Sequence, residues 1–152
     1  MNTRLPLDAK GAKDTRKTRK DIQNFENDWS GEVIGAVIEV QRVLGVGLLE
    51  SAYAGALAIE LNSLGIQFEK EAPVNATYKG RDLGVSYRAD FVVEQSLILE
   101  LKAVDLVTPL HRAQLLSYLR ISGHKLGLLI NFNAFPVAKD IHRIVNNFRT
   151  ST

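Results

Sequence analysis

The spacing of apolar residues changes abruptly at Gly65 of this 152-residue chain, and that change constrains the fold more than any other feature. Apolar residues recur every three or four positions over 30–44 and 48–64, which predicts two amphipathic helices separated by the turn Gly45-Val46-Gly47. We expect Ser30 to cap the first of these helices. Beyond Gly65 apolar and polar residues alternate, as they do in β-strands. The chain therefore combines helices with a sheet.

Turns and a second helical pattern divide the rest of the chain. Strands are predicted over residues 66–71, 74–78, 85–93, 97–102 and 125–132. A helix is expected over 108–121, because Thr108 can cap it and Pro109 suits the first helical position. We predict a last helix over 137–148, although its apolar residues would also suit a strand. Together these elements predict an α/β domain in which helices flank a central mixed β-sheet.

Charge is distributed unevenly along the sequence. The whole chain has a net charge of +2, but residues 1–21 hold seven Lys or Arg against three Asp, a net +4, so the remainder carries −2. The basic segment has few apolar residues and cannot bury enough surface to offset its conformational entropy. We therefore predict a disordered basic arm over 1–28 and a single domain over 29–149. The arm either contacts nucleic-acid phosphates or is a solvated tail.

Two absences from the sequence exclude whole classes of protein. The chain has no cysteine, which excludes disulfides, thiolate metal sites and cysteine nucleophiles. No apolar run reaches the roughly 18 residues that cross a bilayer, and the N-terminal segment lacks the apolar stretch of a secretory signal. We expect a cytoplasmic protein without a membrane partner, and a homo-oligomer is compatible with the sequence.

A carboxylate interrupts the otherwise apolar strand 85–93. Alternate side chains of a strand share a face, so Asp90 should point to one face while four neighbours point to the other, namely Tyr87, Ala89, Phe91 and Val93. On the next strand, 97–102, three Leu residues form the buried face, which leaves Glu100 and Lys102 on the opposite face. If the two strands pair through the short turn at 94–96, Asp90 lies beside Glu100 and Lys102.

Two carboxylates on one partly buried face repel each other unless a cation lies between them, and a hard divalent ion is the usual solution. With an ammonium group nearby to orient water, such a site can hydrolyse a phosphodiester bond. The alternative is that Asp90 merely begins or ends a strand and that Glu100 pairs with Lys102 on a solvent-facing sheet.

Two helices carry further polar residues that support a site. Glu50 lies near the start of the second helix, on one stripe with Tyr53, Leu57 and Glu60. This spacing places its carboxylate beside the Tyr53 hydroxyl. On the later helix Gln114 and Tyr118 share a face, with His111 one turn earlier. Among the histidines, His111 is the one expected to approach the site, and we interpret His124 and His142 as surface or boundary residues.

At the second helix the sequence resembles a known family. The segment Gly47-Leu48-Leu49-Glu50-Ser51-Ala52-Tyr53 is similar to the GxxExxY signature of a family of small, mostly bacterial proteins, and the resemblance continues through 87–90, 100–104, 108–119 and 127–132. That family resembles the PD-(D/E)XK nuclease superfamily, whose ordered motifs are matched by Glu50, Asp90, Glu100, Lys102, Gln114 and Tyr118. The resemblance implies a PD-(D/E)XK nuclease-like core with the element order α-β-β-β-α-β.

The resemblance also implies a bound metal ion. Asp90, Glu100 and the backbone carbonyl of Leu101 would hold Mg²⁺ or Mn²⁺, and Glu50 would complete or support the site directly or through water. All four are accordingly candidate metal ligands. The three carboxylates are candidate catalytic residues as well.

The remaining motif residues have implied roles in handling substrate. Lys102 would position the attacking water and stabilise charge on the phosphate, while Gln114 and Tyr118 would hold the strand end or the substrate backbone. Two positions depart from the family pattern. Gln41 stands where His is expected in the first helix, and Val46 stands where Pro is expected before the Gly that follows it.

Two functions follow from this interpretation. The first is a Mg²⁺- or Mn²⁺-dependent nuclease that hydrolyses phosphodiester bonds of DNA or RNA with metal-activated water. The second is a catalytically silent nuclease-fold module that binds nucleic acid or a protein partner. The complete set Asp90, Glu100 and Lys102 favours the enzyme, because a binding module has no need to keep these three residues together.

Overall fold

The computed structural model describes residues 27–147 of the chain. Its helices are α1 (Ser30–Leu44), α2 (Glu50–Ser63) and α3 (Pro109–Ser122), and its strands are β1 (Phe68–Tyr78), β2 (Arg81–Val93), β3 (Leu97–Lys102), β4 (Leu126–Asn131) and β5 (Ile141–Val145), with a short 3-10 helix (Val137–Asp140) before β5. The basic arm predicted over 1–28 lies outside the described residues except for Asn27 and Asp28.

The five strands form one mixed sheet in the order β1-β2-β3-β4-β5. Strands β3 and β4 are parallel, and every other neighbouring pair is antiparallel. A parallel pair needs a long crossover, which α3 supplies. The predicted α/β fold, a mixed sheet flanked by helices, is confirmed.

Helices cover both faces of the sheet. On one face α1 and α2 pack over the buried side chains of Phe91, Val93, Leu97, Leu99 and Leu101. On the other face α3 inserts Leu115 and Leu119 against a smaller cluster that includes Val74, Ala89, Ile98 and Leu129. Because the central strands are buried on both faces, their ends are where polar side chains can approach the sheet. No helix within 27–147 is both long enough and apolar enough to cross a membrane.

The start of α1 differs from the prediction. Ser30 is the first helical residue rather than the cap, and Trp29 precedes it in a left-handed conformation with φ 68°. The carboxylate of Asp28 accepts hydrogen bonds from the Ser30 backbone N–H at 2.9 Å and from its hydroxyl at 2.6 Å. The same carboxylate binds Arg143 on β5 at 2.6 Å, so Asp28 joins the first helix to the last strand.

The strands also differ from the prediction in extent. Residues 68–78 form one strand instead of two, because the left-handed residue Glu71, at φ 54°, bends β1 without ending it. Strand β2 begins at Arg81 rather than at 85, since Lys79 and Gly80 close a tight hairpin with positive φ angles. The helix predicted over 137–148 is wrong. A 3-10 helix and β5 occupy this segment, because β5 pairs with the otherwise open edge of β4.

Candidate active site

The centre of the candidate site is the point where β2 and β3 stop pairing. The ladder between these strands joins Val93 with Leu97 and Phe91 with Leu99, and the next position along brings Asp90 opposite Glu100. At that position, hydrogen bonds from backbone N–H groups to side-chain carboxylates replace the pairing between backbone groups. Asp90 Oδ2 accepts a hydrogen bond from the Leu101 N–H at 2.7 Å. Glu100 Oε1 accepts from the Asp90 N–H at 3.3 Å.

The predicted alternation of β2 is interrupted at Asp90. Phe91 packs with α1 and α2 as expected, but Ala89 faces α3 and Tyr87 stacks on the α3 residue Tyr118. The prediction that Tyr87 and Ala89 share a face with Phe91 is therefore wrong. The residue opposite Asp90 in the β1–β2 register is the left-handed Glu71, and the side chains of β2 change faces at this point.

Burial raises the pKa values of both Asp90 and Glu100. The pKa of Glu100 is raised from 4.5 to about 8, first by burial and then by the neighbouring Asp90 carboxylate. Burial also raises the pKa of Asp90, against the hydrogen bond from Leu101 and the charge of Lys102. Glu100 therefore keeps its proton near neutral pH in the absence of a cation.

Glu50 lies at the start of α2, close enough to the pair for the charge of Asp90 to act on its pKa. Its carboxyl accepts a hydrogen bond from the backbone N–H of Ala103, directly after β3. Partial burial raises the pKa of Glu50, while the charge of Lys102 lowers it and that of Asp90 raises it. An open cleft of about 310 Å³ is lined by Glu50, Ser51, Ala54, Lys70, Glu71, Asp90 and Leu101. Sequence reasoning missed Lys70 and Glu71, which the β1 bend brings to the cleft.

The tyrosine of the signature holds the loop that precedes Glu50. Tyr53 is fully buried, and its hydroxyl donates to the Gly45 carbonyl at 2.7 Å and accepts from the Leu48 N–H at 3.2 Å. Between them Gly47 has φ 93°, which residues other than glycine rarely adopt. The Tyr53 ring stacks on Phe132 at 4.5 Å. The hydroxyl therefore fixes the turn. The sequence spacing had suggested instead that it contacts the Glu50 carboxylate.

A buried amide, which sequence reasoning did not single out for the site, holds the backbone beyond Lys102. Asn131 is 1% exposed, and its Oδ1 accepts from the Val104 N–H at 3.1 Å while its Nδ2 donates to the Val104 carbonyl at 2.9 Å. Nδ2 also donates to Asp140 at 2.9 Å. Since Ala103 lies between Lys102 and Val104, Asn131 fixes the segment whose N–H binds Glu50.

The two departures from the family pattern also have structural explanations. Gln41 is 5% exposed and binds the loop after β4, donating to the carbonyls of Phe132 and Ala134 and accepting from the Val137 N–H at 2.8 Å. It is a buried clamp remote from the carboxylates. Val46 is 47% exposed in the turn before Gly47, where Tyr53 supplies the restraint.

Helix α3 borders the carboxylate pair. Thr108 caps it as predicted, accepting from the His111 N–H at 3.3 Å, and the Thr108 N–H donates to His111 Nδ1 at 3.1 Å. His111 lies close enough to Glu50 to lower its pKa. Burial and the charge of Glu100 raise the pKa of Tyr118. Gln114 is exposed one turn earlier, and within 27–147 no hydrogen bond joins it to the carboxylates.

The other two histidines have local partners. His124 contacts the Ser122 hydroxyl at 2.9 Å after α3. His142 contacts Asp140 at 2.5 Å on β5, which connects it to Asn131 through Asp140.

The donor chemistry of the site fits a hard divalent cation, because the Asp90 and Glu100 carboxyls lie side by side with raised pKa values, where a cation would neutralise both. The described side chains do not form a closed cage. Within 27–147, no three or more His, Asp or Glu residues are grouped closely enough to hold an ion by themselves. An ion bound here would therefore use the carboxylate pair together with backbone or water oxygens.

The comparison with known families agrees with this geometry. A model of the PD-(D/E)XK nuclease superfamily matches residues 27–144, which include α1 through most of β5 and every site residue predicted above. The chain belongs to the PD-(D/E)XK nuclease superfamily. Membership in this superfamily supports nuclease activity, nucleic-acid binding and the use of divalent metal ions.

No curated protein matches the chain significantly. A solved structure described as "Crystal structure of SSO0001" is 17% identical to it, with a TM-score of 0.46. The alignment covers 80% of this chain, and the chain spans 61% of the length of that protein.

Proposed function

We propose that this protein is a divalent-metal-dependent nuclease whose site consists of Glu50, Asp90, Glu100, the Leu101 carbonyl and Lys102. The observation that carries the proposal is the pair of partly buried carboxyls, Asp90 and Glu100, side by side where β2 and β3 stop pairing. Their pKa values are raised, which costs stability and is typical of a functional site.

The metal, Mg²⁺ or Mn²⁺, would supply charge neutralisation at the scissile phosphate and activation of water when bound. The chain's own residues do the rest. Glu100 would release its proton, so that Asp90 and Glu100 present ionised oxygens, and Glu50, held by the Ala103 N–H, would support them directly or through water. Lys102 would orient the attacking water and stabilise the phosphate charge.

The overall reaction is hydrolysis of a phosphodiester bond in DNA or RNA. The water oxygen forms a bond to phosphorus, and the bridging P–O bond breaks with its electron pair remaining on the leaving oxygen. One water proton ends on that oxygen. Gln114 and Tyr118, on the face of α3 beside the pair, are proposed to hold the substrate backbone.

We also infer that, within the superfamily, the chain belongs to the GxxExxY family. The support is structural: Gly47 needs its left-handed conformation, Tyr53 clamps the turn, and Glu50 begins α2 in the direction of Asp90. This arrangement gives each of the three signature residues a physical reason for its spacing.

The test is cleavage of labelled single- and double-stranded DNA and RNA with Mg²⁺ or Mn²⁺, and with a chelator as control. Asp90→Ala and Lys102→Ala should each abolish cleavage. Two control variants should retain it: Lys125→Ala, which removes a surface charge, and Glu60→Gln, which removes a charge on the far half of α2. Cleavage that survives both site substitutions would come from a contaminant.

The second candidate function is a silent nuclease-fold module. The lack of a closed group of three ligands within 27–147 favours it. Intact substrates at high protein concentration, together with measurable binding of nucleic acid or a protein partner, would support this alternative over the nuclease.

A further inference from the structure

An exposed aromatic pair adjoins the carboxylate site. Tyr87 on β2 is 45% exposed, and its ring lies 5.4 Å from the ring of Tyr118 on α3, at an angle of 33°. Tyr118 is in turn close enough to Glu100 and Asp90 for both charges to raise its pKa. The pair therefore connects a solvent-exposed ring with the place where the reaction is proposed to occur.

The two segments that carry this pair, residues 73–89 and α3, are each net positive, whereas the complete strands β1 and β2 with their turn are neutral. The distal ribbon, residues 73–89 of β1 and β2 with their turn, carries three Lys or Arg and one Asp, a net +2. Helix α3 carries Arg112 and Arg120 and no acidic residue. Residues 27–147 as a whole hold eleven Lys or Arg against thirteen Asp or Glu. The rest of this region is therefore acidic, with a net −6.

This distribution changes the interpretation of the net charge. Residues 27–147 have an acidic balance, but the charge is unevenly distributed: residues 73–89 and α3 are each net positive, and Tyr87 and Tyr118 lie on these two segments. Arg88 of the ribbon also lies 3.4 Å from Glu71, in an exposed ion pair of the kind that contributes little. The remaining positive charge of these two segments is complementary to a phosphate backbone.

An exposed ring flanked by cations is the combination that binds single strands. An unpaired base can stack on an aromatic side chain while cations follow the backbone, whereas the bases of a duplex are already stacked on one another. We propose that Tyr87, supported by Tyr118, is a stacking platform for an unpaired base, so that this site binds single-stranded nucleic acid in preference to duplex. The inference rests on the proposed function for its biological purpose.

Binding can be measured without turnover. The probe is a fluorescein-labelled oligothymidylate of about fifteen nucleotides, near the upper end of a single-strand site, and its blunt duplex with oligoadenylate. Anisotropy is followed in EDTA at fixed salt for the full chain and for Tyr87→Leu, Tyr87→Phe and Tyr78→Leu. The Leu side chain retains apolar packing without a ring, and Phe retains the ring without the hydroxyl. Tyr78, 60% exposed at the hairpin tip, is the matched control.

The wild-type chain should bind the single strand more tightly than the duplex. Tyr87→Leu should weaken single-strand binding about 5- to 150-fold, the range for one lost base stack, and leave duplex binding unchanged. Tyr87→Phe and Tyr78→Leu should bind like wild type, and equal Tm values would show that the fold is retained. The inference is overturned if Tyr87→Leu binds the single strand normally, loses both ligands equally, or if the wild type has no single-strand preference.

The outcome is independent of the nuclease assay. A protein that binds the single strand through Tyr87 but cleaves nothing supports the stacking platform and contradicts the proposed hydrolysis. A protein that cleaves normally while Tyr87→Leu binds normally supports the hydrolysis and contradicts the platform. A protein partner on this surface, in place of nucleic acid, would give no oligothymidylate binding at all and would overturn the inference.

Discussion

The backbone N–H of Asp90 donates a hydrogen bond to Glu100 Oε1 at 3.3 Å, which places the two carboxyl groups side by side. Ten positions separate them in the sequence, and the hairpin between β2 and β3 brings them together. Their raised pKa values show that the fold concentrates negative charge in a partly buried place. This relationship leads directly to two predictions.

Replacing Glu100 with Gln should stabilise the metal-free protein while abolishing cleavage. The substitution removes a carboxyl whose protonation or charge is costly in this partly buried place, and it keeps a hydrogen-bonding group beside Asp90. Each kcal/mol gained should raise Tm by roughly 2–8 °C in thermal denaturation with EDTA. Glu60→Gln, remote from the pair on α2, should leave both Tm and cleavage unchanged. A lower Tm for Glu100→Gln would mean that the carboxyl pair is structural.

The metal-free protein should lose stability as pH rises from about 4.5 to about 8 because of Glu100. The folded state keeps a proton that the unfolded state releases above its ordinary pKa, so this contribution is fully present below 4.5 and disappears through the folded pKa. Urea unfolding in EDTA across this range measures it. Glu100→Gln should show a flatter pH dependence, and identical slopes in both proteins would contradict the assigned cause.

Replacing Tyr53 with Phe should cost about 1–2 kcal/mol of stability and lower the cleavage rate. The ring can still stack on Phe132, but the Gly45 carbonyl and the Leu48 N–H lose their partner, and the turn before Glu50 loosens. Urea unfolding and single-turnover cleavage measure the two effects. Tyr78→Phe, at the exposed hairpin tip, serves as the control and should change neither.

Replacing Asn131 with Ala should cost about 2–4 kcal/mol, because it leaves both backbone groups of Val104 without their buried partner. The segment after Lys102 should then exchange its amide hydrogens faster, the Ala103 amide that binds Glu50 included. Hydrogen exchange with urea unfolding tests this. Asn75→Ala, at an exposed position of β1, is the control. Unchanged exchange at Ala103 and Val104 in the Asn131→Ala variant would refute the positioning role.

Local patterns were reliable wherever local forces dominate. The capped start of α3 at Thr108 and Pro109 is confirmed, as is the hairpin that joins β2 and β3. The last strand was predicted as a helix because residues 141–145 have an ambiguous apolar pattern. Their partner, β4, becomes available only when the sheet assembles.

The bend at Glu71 could not be predicted for the same reason. Glutamate rarely adopts a positive φ, so only the packing of the assembled sheet explains its conformation. Next to Glu71, Lys70 lines the cleft with Asp90, and on β2 the Tyr87 ring contacts that of Tyr118.

By itself, the sequence determined the α/β class, the positions of most helices and strands, and the ordered carboxylates and lysine, because periodicity, turns and motif spacing are properties of neighbouring residues. Only the tertiary structure decided which carboxyl groups have raised pKa values, which buried amides and hydroxyls hold the loops, and which segments lie next to each other. Those properties depend on burial and on contacts between distant segments such as Asn131 with Val104 and Tyr87 with Tyr118. Burial raises the pKa of a carboxyl that would be an ordinary acid in the extended chain.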